Sequence, residues 1–178
     1  MPRSILTDIP FVGKYCAMQA LRDEQPDGGE DIAALESLTR VLVGIAWDCA
    51  HTAPPEVTFP QTRLLLILDS LGRVPSSRLA AALGVNASSV TRLADRLEAL
   101  GYLKRGRDAR NRSVVTVEVT EAGRQVVAQI LEARQAAFQA LLDRMSPAQR
   151  RAMTGAARRI VQAANSVPSI GTAGPGPL

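Results

Sequence analysis

From Asp31 onward apolar residues recur at spacings of three and four: Leu35, Leu38, Leu42, Ile45 and Cys49 fall on one stripe. That period predicts an amphipathic helix, which should end before Pro54-Pro55. Thr58 and Gln61 are the two halves of a capping box, in which hydroxyl and amide satisfy orphan backbone donors. They predict a second helix through Leu64–Leu71, closed by Gly72. After Pro75, Ser76 or Ser77 should cap a short helix that runs to Leu83 and stops at Gly84. Asn86 should cap a longer helix through Leu100, stopped by Gly101.

The pattern then changes period. Val115, Val117 and Val119 alternate with Val114, Thr116 and Glu118, while Leu103-Lys104-Arg105 precedes a polar run from Gly106 to Ser113. Two short strands around a basic loop are expected. Thr120 restarts the helical period, with Val127, Ile130, Leu131, Phe138, Leu141, Leu142 and Met145 on its stripe. Ser146, Pro147 and Gln149 form a second capping box for a last helix to about Ala164. Ile9 to Leu21 is a candidate short helix, Gln25-Pro26-Asp27-Gly28-Gly29 reads as a loop, and the Pro/Gly-rich end from Val167 is expected to be disordered.

The fold class that follows is mainly α: a winged helix-turn-helix (α plus a β hairpin) with flanking helices that form a dimerisation region. Its parts are an N-terminal extension at 1–30, helical dimerisation segments at 31–57 and 120–166, the winged region at 58–119 and the tail at 167–178. Composition supports this, because 46% of the residues are hydrophobic and only 3% aromatic. The core must come from Leu, Val, Ile and Ala, of which Leu and Ala favour helices.

Charge adds a location. The formal net charge is +4, but residues 1–59 hold 4 basic against 9 acidic groups, whereas residues 60–113 hold 10 against 4. Only two of the 21 basic residues are Lys. A basic middle rich in guanidinium fits a polyanion, since the planar fork of Arg bonds phosphates and guanine edges bidentately. No apolar run approaches the ~18 residues that span a bilayer. Residues 1–30 also lack the basic, apolar and small-residue order of an export signal, so a cytoplasmic location without membrane contact is expected.

Within the basic segment the helix after Asn86 is the informative one. Val90, Leu93, Leu97 and Leu100 should be its buried face, leaving Ser88, Ser89, Thr91, Arg92 and Arg96 on another. Short polar residues at the helix start let its tip approach base edges, and Arg further along reaches guanine or phosphate. Any surface helix shows a polar face, so the hairpin carries the weight. Its loop places Arg107, Arg110 and Arg112 within six positions, and arginines on such a loop suit the negative potential of a narrow minor groove. Ser76 and Ser77, at a helix start, are candidate phosphate contacts.

Taken together, Thr58-x-x-Gln61, Leu79-Ala80, Leu83-Gly84-Val85, Ser89-Val90-Thr91-Arg92-Leu93, Asp95-Arg96-Leu97, Gly101-Tyr102-Leu103 and Val117-x-Val119-Thr120-Glu121-Ala122-Gly123 resemble the MarR (multiple antibiotic resistance regulator) family. The likeness covers about 65 residues. It departs at the wing tip, where the family's Asp-x-Arg aligns with Asn111 and Ser113, so Arg110 or Arg112 takes the minor-groove role. The resemblance implies a homodimer in which the first and the last two helices intertwine. It also implies duplex DNA with an inverted repeat as partner, repression as the mode, and relief by a small phenolic or aromatic ligand. The apolar stripes outside the winged region, otherwise exposed, agree with a self-partner.

Two alternatives of the same fold stand beside this: a redox-sensing regulator using Cys16, and a protein-interaction module that does not read DNA by sequence. Lys14 is the one cation next to Cys16 in sequence, and a reactive thiolate needs nearby positive charge. Cys49, on the apolar stripe, is expected to be packed. His51 is the sole histidine and no metal-ligand cluster is visible; no nucleophile elbow, phosphate loop or catalytic triad is present either. No catalytic residue, metal or cofactor is therefore expected.

Overall fold

A computed structural model describes residues 29–109 and 111–166. The elements in chain order are α1 (Glu30–Ala50), α2 (Phe59–Leu71), β1 (Val74–Pro75), α3 (Ser76–Leu83), α4 (Ala87–Ala99), β2 (Leu103–Arg107), β3 (Val115–Val119), α5 (Glu121–Leu142) and α6 (Pro147–Ser166). The expected helices form where their punctuation places them. The Thr58 amide donates to Gln61 Oε1 at 2.7 Å at the head of α2. Thr120 Oγ1 accepts the Gly123 amide at 3.1 Å at the head of α5, and the Ser146–Gln149 box closes the head of α6.

The sheet has three strands in the order β1-β3-β2, all antiparallel. Val74 faces Val117 across β1 and β3, and Leu103 faces Val119 across β2 and β3. The expectation of a plain two-stranded hairpin is corrected here: a two-residue strand is too short to leave a periodic signature, and its Val-Pro sequence resembles a turn. The strict alternation on β3 also breaks, because Thr116 is buried and Val115 exposed. Thr116 lies inside because its hydroxyl accepts from Arg73 Nε at 3.2 Å, which satisfies a polar group that burial would otherwise penalise.

Three further expectations shift by small amounts. Pro75, not Ser76 or Ser77, occupies the cap position of α3; the two serines are its first helical residues. The fixed backbone angle of Pro suits a helix entry without any side-chain bond. Helix α5 ends at Leu142 rather than Met145, with Asp143 as its cap. On α4 the buried line is Val90, Ala94 and Leu97, while Leu93 and Leu100 are half-buried. The candidate helix at Ile9 to Leu21 and the tail from Val167 lie outside the described residues.

The core sits between α2, the HTH helices, the sheet and the first half of α5. Leu64, Leu65, Ile67, Leu68, Leu79, Val90, Leu97, Leu103, Val117 and Ile130 are almost fully buried, joined by Ile45 from α1. Each such aliphatic side chain contributes about 1.5–3 kcal/mol of burial. Two glycines answer specific steric demands. Gly84 adopts the left-handed conformation (φ 66°, ψ 30°) between α3 and α4, where a side chain is disfavoured. At Gly123 an added Cβ would collide with the Tyr102 carbonyl and with Val119 Cγ1, so α5 can lie against the strand entry only with glycine there.

The outer helices are different. α1 reaches the core with Ile45, Cys49 and Ala50, but Ile32, Leu35, Leu38 and Leu42 along its first half are exposed. α6 has no buried residue. Among the described residues no helix is long and apolar enough to cross a membrane.

Candidate nucleic-acid interface

The sharp turn at Gly84 sets α3 and α4 into a helix-turn-helix pair. Asn86 begins α4, its Oδ1 accepting the Ser89 amide at 2.8 Å and the Ser88 hydroxyl at 2.8 Å. Ser88 therefore sits exposed at the tip with its oxygen still able to accept. Ser89 is half-buried, and the Thr91 hydroxyl donates to the Ala87 carbonyl at 3.0 Å. Arg92 and Arg96 are exposed, and neither makes an ion pair among the described residues. Four of the five recognition-helix candidates are thus on the open face, and Ser89 lies at its edge. Ser76 is half-buried and Ser77 exposed at the start of α3, with Ser76 Oγ donating to the Val115 carbonyl at 3.4 Å.

The recognition helix also carries Asp95 and Glu98, which would repel a phosphate backbone. Arg105 on β2 answers both: its Nη1 lies 2.6 Å from Asp95 Oδ1 and 2.9 Å from Glu98 Oε2. Its Nη2 donates to the Thr91 carbonyl at 3.3 Å, and its amide to Glu98 Oε1 at 3.2 Å. One guanidinium thereby neutralises the helix and fastens it to the base of the wing. Arg105 is not among the residues that the helical period or the loop's arginine cluster points to. The signal was present, since two acids on a proposed DNA-reading helix require a nearby counter-charge.

The wing is braced in the same way. Arg73, before β1, donates through Nη2 to the Arg107 carbonyl at 2.9 Å as well as to Thr116. Lys104 and Glu118 pair across the strands at 3.0 Å, and hydrogen bonding to Lys104 holds the Glu118 carboxyl below the usual glutamate range. Arg107 Nη1 donates to the Arg112 carbonyl at 2.7 Å, so this arginine closes the loop from inside. Asn111 Oδ1 accepts the Ser113 amide at 3.0 Å, and Asp108 Oδ1 accepts the Asn111 amide at 3.1 Å. The side chains at 108 and 111 are thus turn-formers. The Arg112 side chain is exposed at the tip without an ion-pair partner among the described residues. Arg110 lies outside the described residues.

The chemistry away from this surface is sparse. Cys49 is buried, and burial pushes its thiol up, with the nearby Arg134 guanidinium acting in the opposite direction. That agrees with a packed residue rather than a reactive one. Cys16 lies outside the described residues. Among the described residues no group of three His, Cys, Asp or Glu is placed to hold a metal ion.

Residues 56–112, which include the helix-turn-helix and most of the wing, match the model of the MarR family. Over these residues the chain is similar to the MarR family. Its curated relative YfiV of Bacillus subtilis (strain 168), an uncharacterised HTH-type transcriptional regulator, is 29% identical over 98 residues. That match spans 55% of this chain and 61% of the relative's length. The crystal structure of RV1404 from Mycobacterium tuberculosis superimposes with a TM-score of 0.70 at 29% identity, over 79% of this chain and 97% of that one. Streptococcus pneumoniae FabT, solved in complex with DNA, shares the fold with a TM-score of 0.61 at 20% identity, over 74% and 92% of the two chains. A winged helix of the kind seen in these neighbours is therefore the frame in which Arg73, Arg105 and Arg107 act as braces and Ser88, Arg92, Arg96 and Arg112 remain open.

Proposed function

We propose that this protein is a MarR-family transcription repressor that binds an inverted-repeat operator as a homodimer. The observation that carries this is the open face of α4, where Ser88, Thr91, Arg92 and Arg96 are exposed while Arg105 neutralises the acids of the same helix. Such a helix enters the major groove with short side chains at its tip and Arg at reach of guanine. Arg112, free at the wing tip, enters the adjacent minor groove, and Ser76 and Ser77 lie where α3 approaches a phosphate. FabT uses this fold on DNA, which supports the same use here.

The uncovered apolar faces of α1 and α6 support the homodimer, which places two recognition helices about one helical turn of DNA apart. Relief by a small phenolic or aromatic ligand follows from the family resemblance and completes the proposed switch. The test is a titration of the wild type and of Arg92→Ala against genomic DNA fragments. The proposal expects salt-sensitive, sequence-dependent retention that Arg92→Ala loses. Equal affinity and equal preference in the variant overturn the role of α4, and no sequence preference in the wild type overturns the operator itself.

A further inference from the structure

The outer half of the wing is held by side chains rather than by a third strand. β1 is two residues long and pairs only Val74 with Val117 and Pro75 with Thr116. Beyond them, at Arg107 and Val115, β2 and β3 continue as a two-stranded ribbon among the described residues. Such a ribbon is marginal in water and twists readily. Arg73, which precedes β1, reaches over it. Because the strand order is β1-β3-β2, its guanidinium crosses β3 to arrive at β2. Nε donates to Thr116 Oγ1 at 3.2 Å on the way, and Nη2 donates to the Arg107 carbonyl at 2.9 Å on the far side. Arg107 passes the tie on, its Nη1 donating to the Arg112 carbonyl at 2.7 Å. Ser76 Oγ adds a longer bond to the Val115 carbonyl at 3.4 Å.

Arg73 can take this course only because residue 106 has no side chain. Gly106 stands opposite Thr116 in the ladder, so the two share one face of the sheet. A Cβ at Gly106 would lie 2.9 Å from Arg73 Nη2 and 3.3 Å from Thr116 Oγ1, too close for the first of these to stay where it is. The obstacle is the far end of a flexible side chain, so an alanine there would displace the guanidinium and leave the strand in place. Both acceptors of Arg73 are neutral. The guanidinium therefore serves through its planar fork and its reach, which a Lys ammonium does not reproduce.

We infer that Arg73, seated on Gly106, is a positioning residue for the wing, fixing the angle of the hairpin so that Arg112 meets DNA already ordered. This rests on the role of Arg112 in the proposed function and adds a determinant of affinity that does not touch DNA. Ordering a contact in advance raises affinity by the loop and side-chain entropy that binding would otherwise lose. Removing the seat should therefore weaken binding without removing a phosphate contact, so affinity falls while the number of released counterions stays the same.

The test uses the full chain and, as probe, a fluorescein-labelled genomic fragment that the wild type retains. Gly106→Ala keeps every cation, and alanine suits a strand interior better than glycine. Its Tm should be no lower than that of the wild type, while its affinity falls about three- to tenfold and amide exchange across the wing speeds up. Arg73→Met should match it in affinity, and Arg73→Lys should not rescue the loss. In each variant the slope of log affinity against log salt should equal that of the wild type. In an Arg112→Ala background each change should weaken binding by less than about twofold. Circular dichroism reads folding, and should Arg73→Met unfold, Gly106→Ala and Arg73→Lys carry the test. Gly106→Ala and Arg73→Met proteins that bind like the wild type, while Arg112→Ala binds weakly, overturn the inference and leave the wing's role standing. Rescue by Arg73→Lys, or a slope that falls by about one when Arg73 is removed, makes Arg73 a phosphate contact and overturns it as well. So does a loss that is equal with and without Arg112. An Arg112→Ala protein that binds like the wild type overturns the wing's role together with the inference.

Discussion

Replacing Arg105 with Met tests whether the wing holds and neutralises the recognition helix. The change removes a cation 2.6 Å from Asp95 and 2.9 Å from Glu98, and leaves an apolar side chain of similar reach. The carboxylate side chains are 55% and 38% exposed, so water screens both pairs. The folding loss should be about 1 kcal/mol for the two pairs together, or roughly 2–4 °C in Tm for a chain of this size. The effect on DNA should be larger. An unpaired carboxylate about 10 Å from a phosphate is repelled by roughly 0.5–1.5 kcal/mol at an effective dielectric constant between that of water and that of a protein surface. Two such groups amount to about 1–3 kcal/mol, a loss of roughly 5- to 150-fold in affinity. Fluorescence anisotropy with labelled operator DNA measures it. The loss should shrink as salt screens the repulsion, and adding Asp95→Asn and Glu98→Gln to the Met variant should restore most of the affinity. An Arg105→Met protein that binds within twofold of the wild type refutes the reasoning, as does a triple variant that binds no better than the single one.

Other positions give separable outcomes. Gly123→Ala should lower stability by about 2–4 kcal/mol, because the new methyl meets the Tyr102 carbonyl and Val119; chemical denaturation reads this, and a loss under 1 kcal/mol would show that α5 yields easily. Arg112→Ala should weaken DNA binding and reduce the salt slope by about one phosphate while leaving Tm unchanged. Arg107→Ala, which opens the bond to the Arg112 carbonyl, should instead increase amide hydrogen exchange across the wing in the free protein. The Glu118 carboxyl is held below its ordinary value of 4.5 by Lys104. A lowered folded-state value contributes stability that is present above the unfolded value and lost as pH falls through the folded one. Below about pH 5, wild-type stability should therefore fall more steeply than that of Glu118→Gln, with a small amplitude because the pair is exposed to solvent.

The sequence carried the helices well because their ends are locally encoded. The capping box at Thr58–Gln61, the Asn86 cap, the Thr120 cap and the box at Ser146–Gln149 each act within three residues, so pattern and structure agree. The open face of α4 was legible for the same reason, since Val90, Leu97, Arg92 and Arg96 take their sides from helical period alone. Features set by contacts distant in sequence were not. Arg73 reaches Thr116 and Arg107 across more than thirty residues, and β1 exists only because Val74 finds Val117. Thr116 reads as a solvent-facing strand position until Arg73 is known to cover it. Pro75 displaced the serines from the cap of α3 because backbone geometry, with no side-chain bond, suffices to start that helix. The uncovered stripe of α1 was legible as apolar, but its exposure required the fold: the period that buries Ile45 and Cys49 continues past the end of the core to Leu35 and Leu38.

The most direct test of the central claim is hydroxyl-radical footprinting of the full chain on the genomic fragment it retains best. Two protected stretches related by an inverted repeat and centred about one helical turn apart, both lost in Arg92→Ala, are the predicted result. Protection that follows no sequence, or a footprint unchanged by Arg92→Ala, would contradict it.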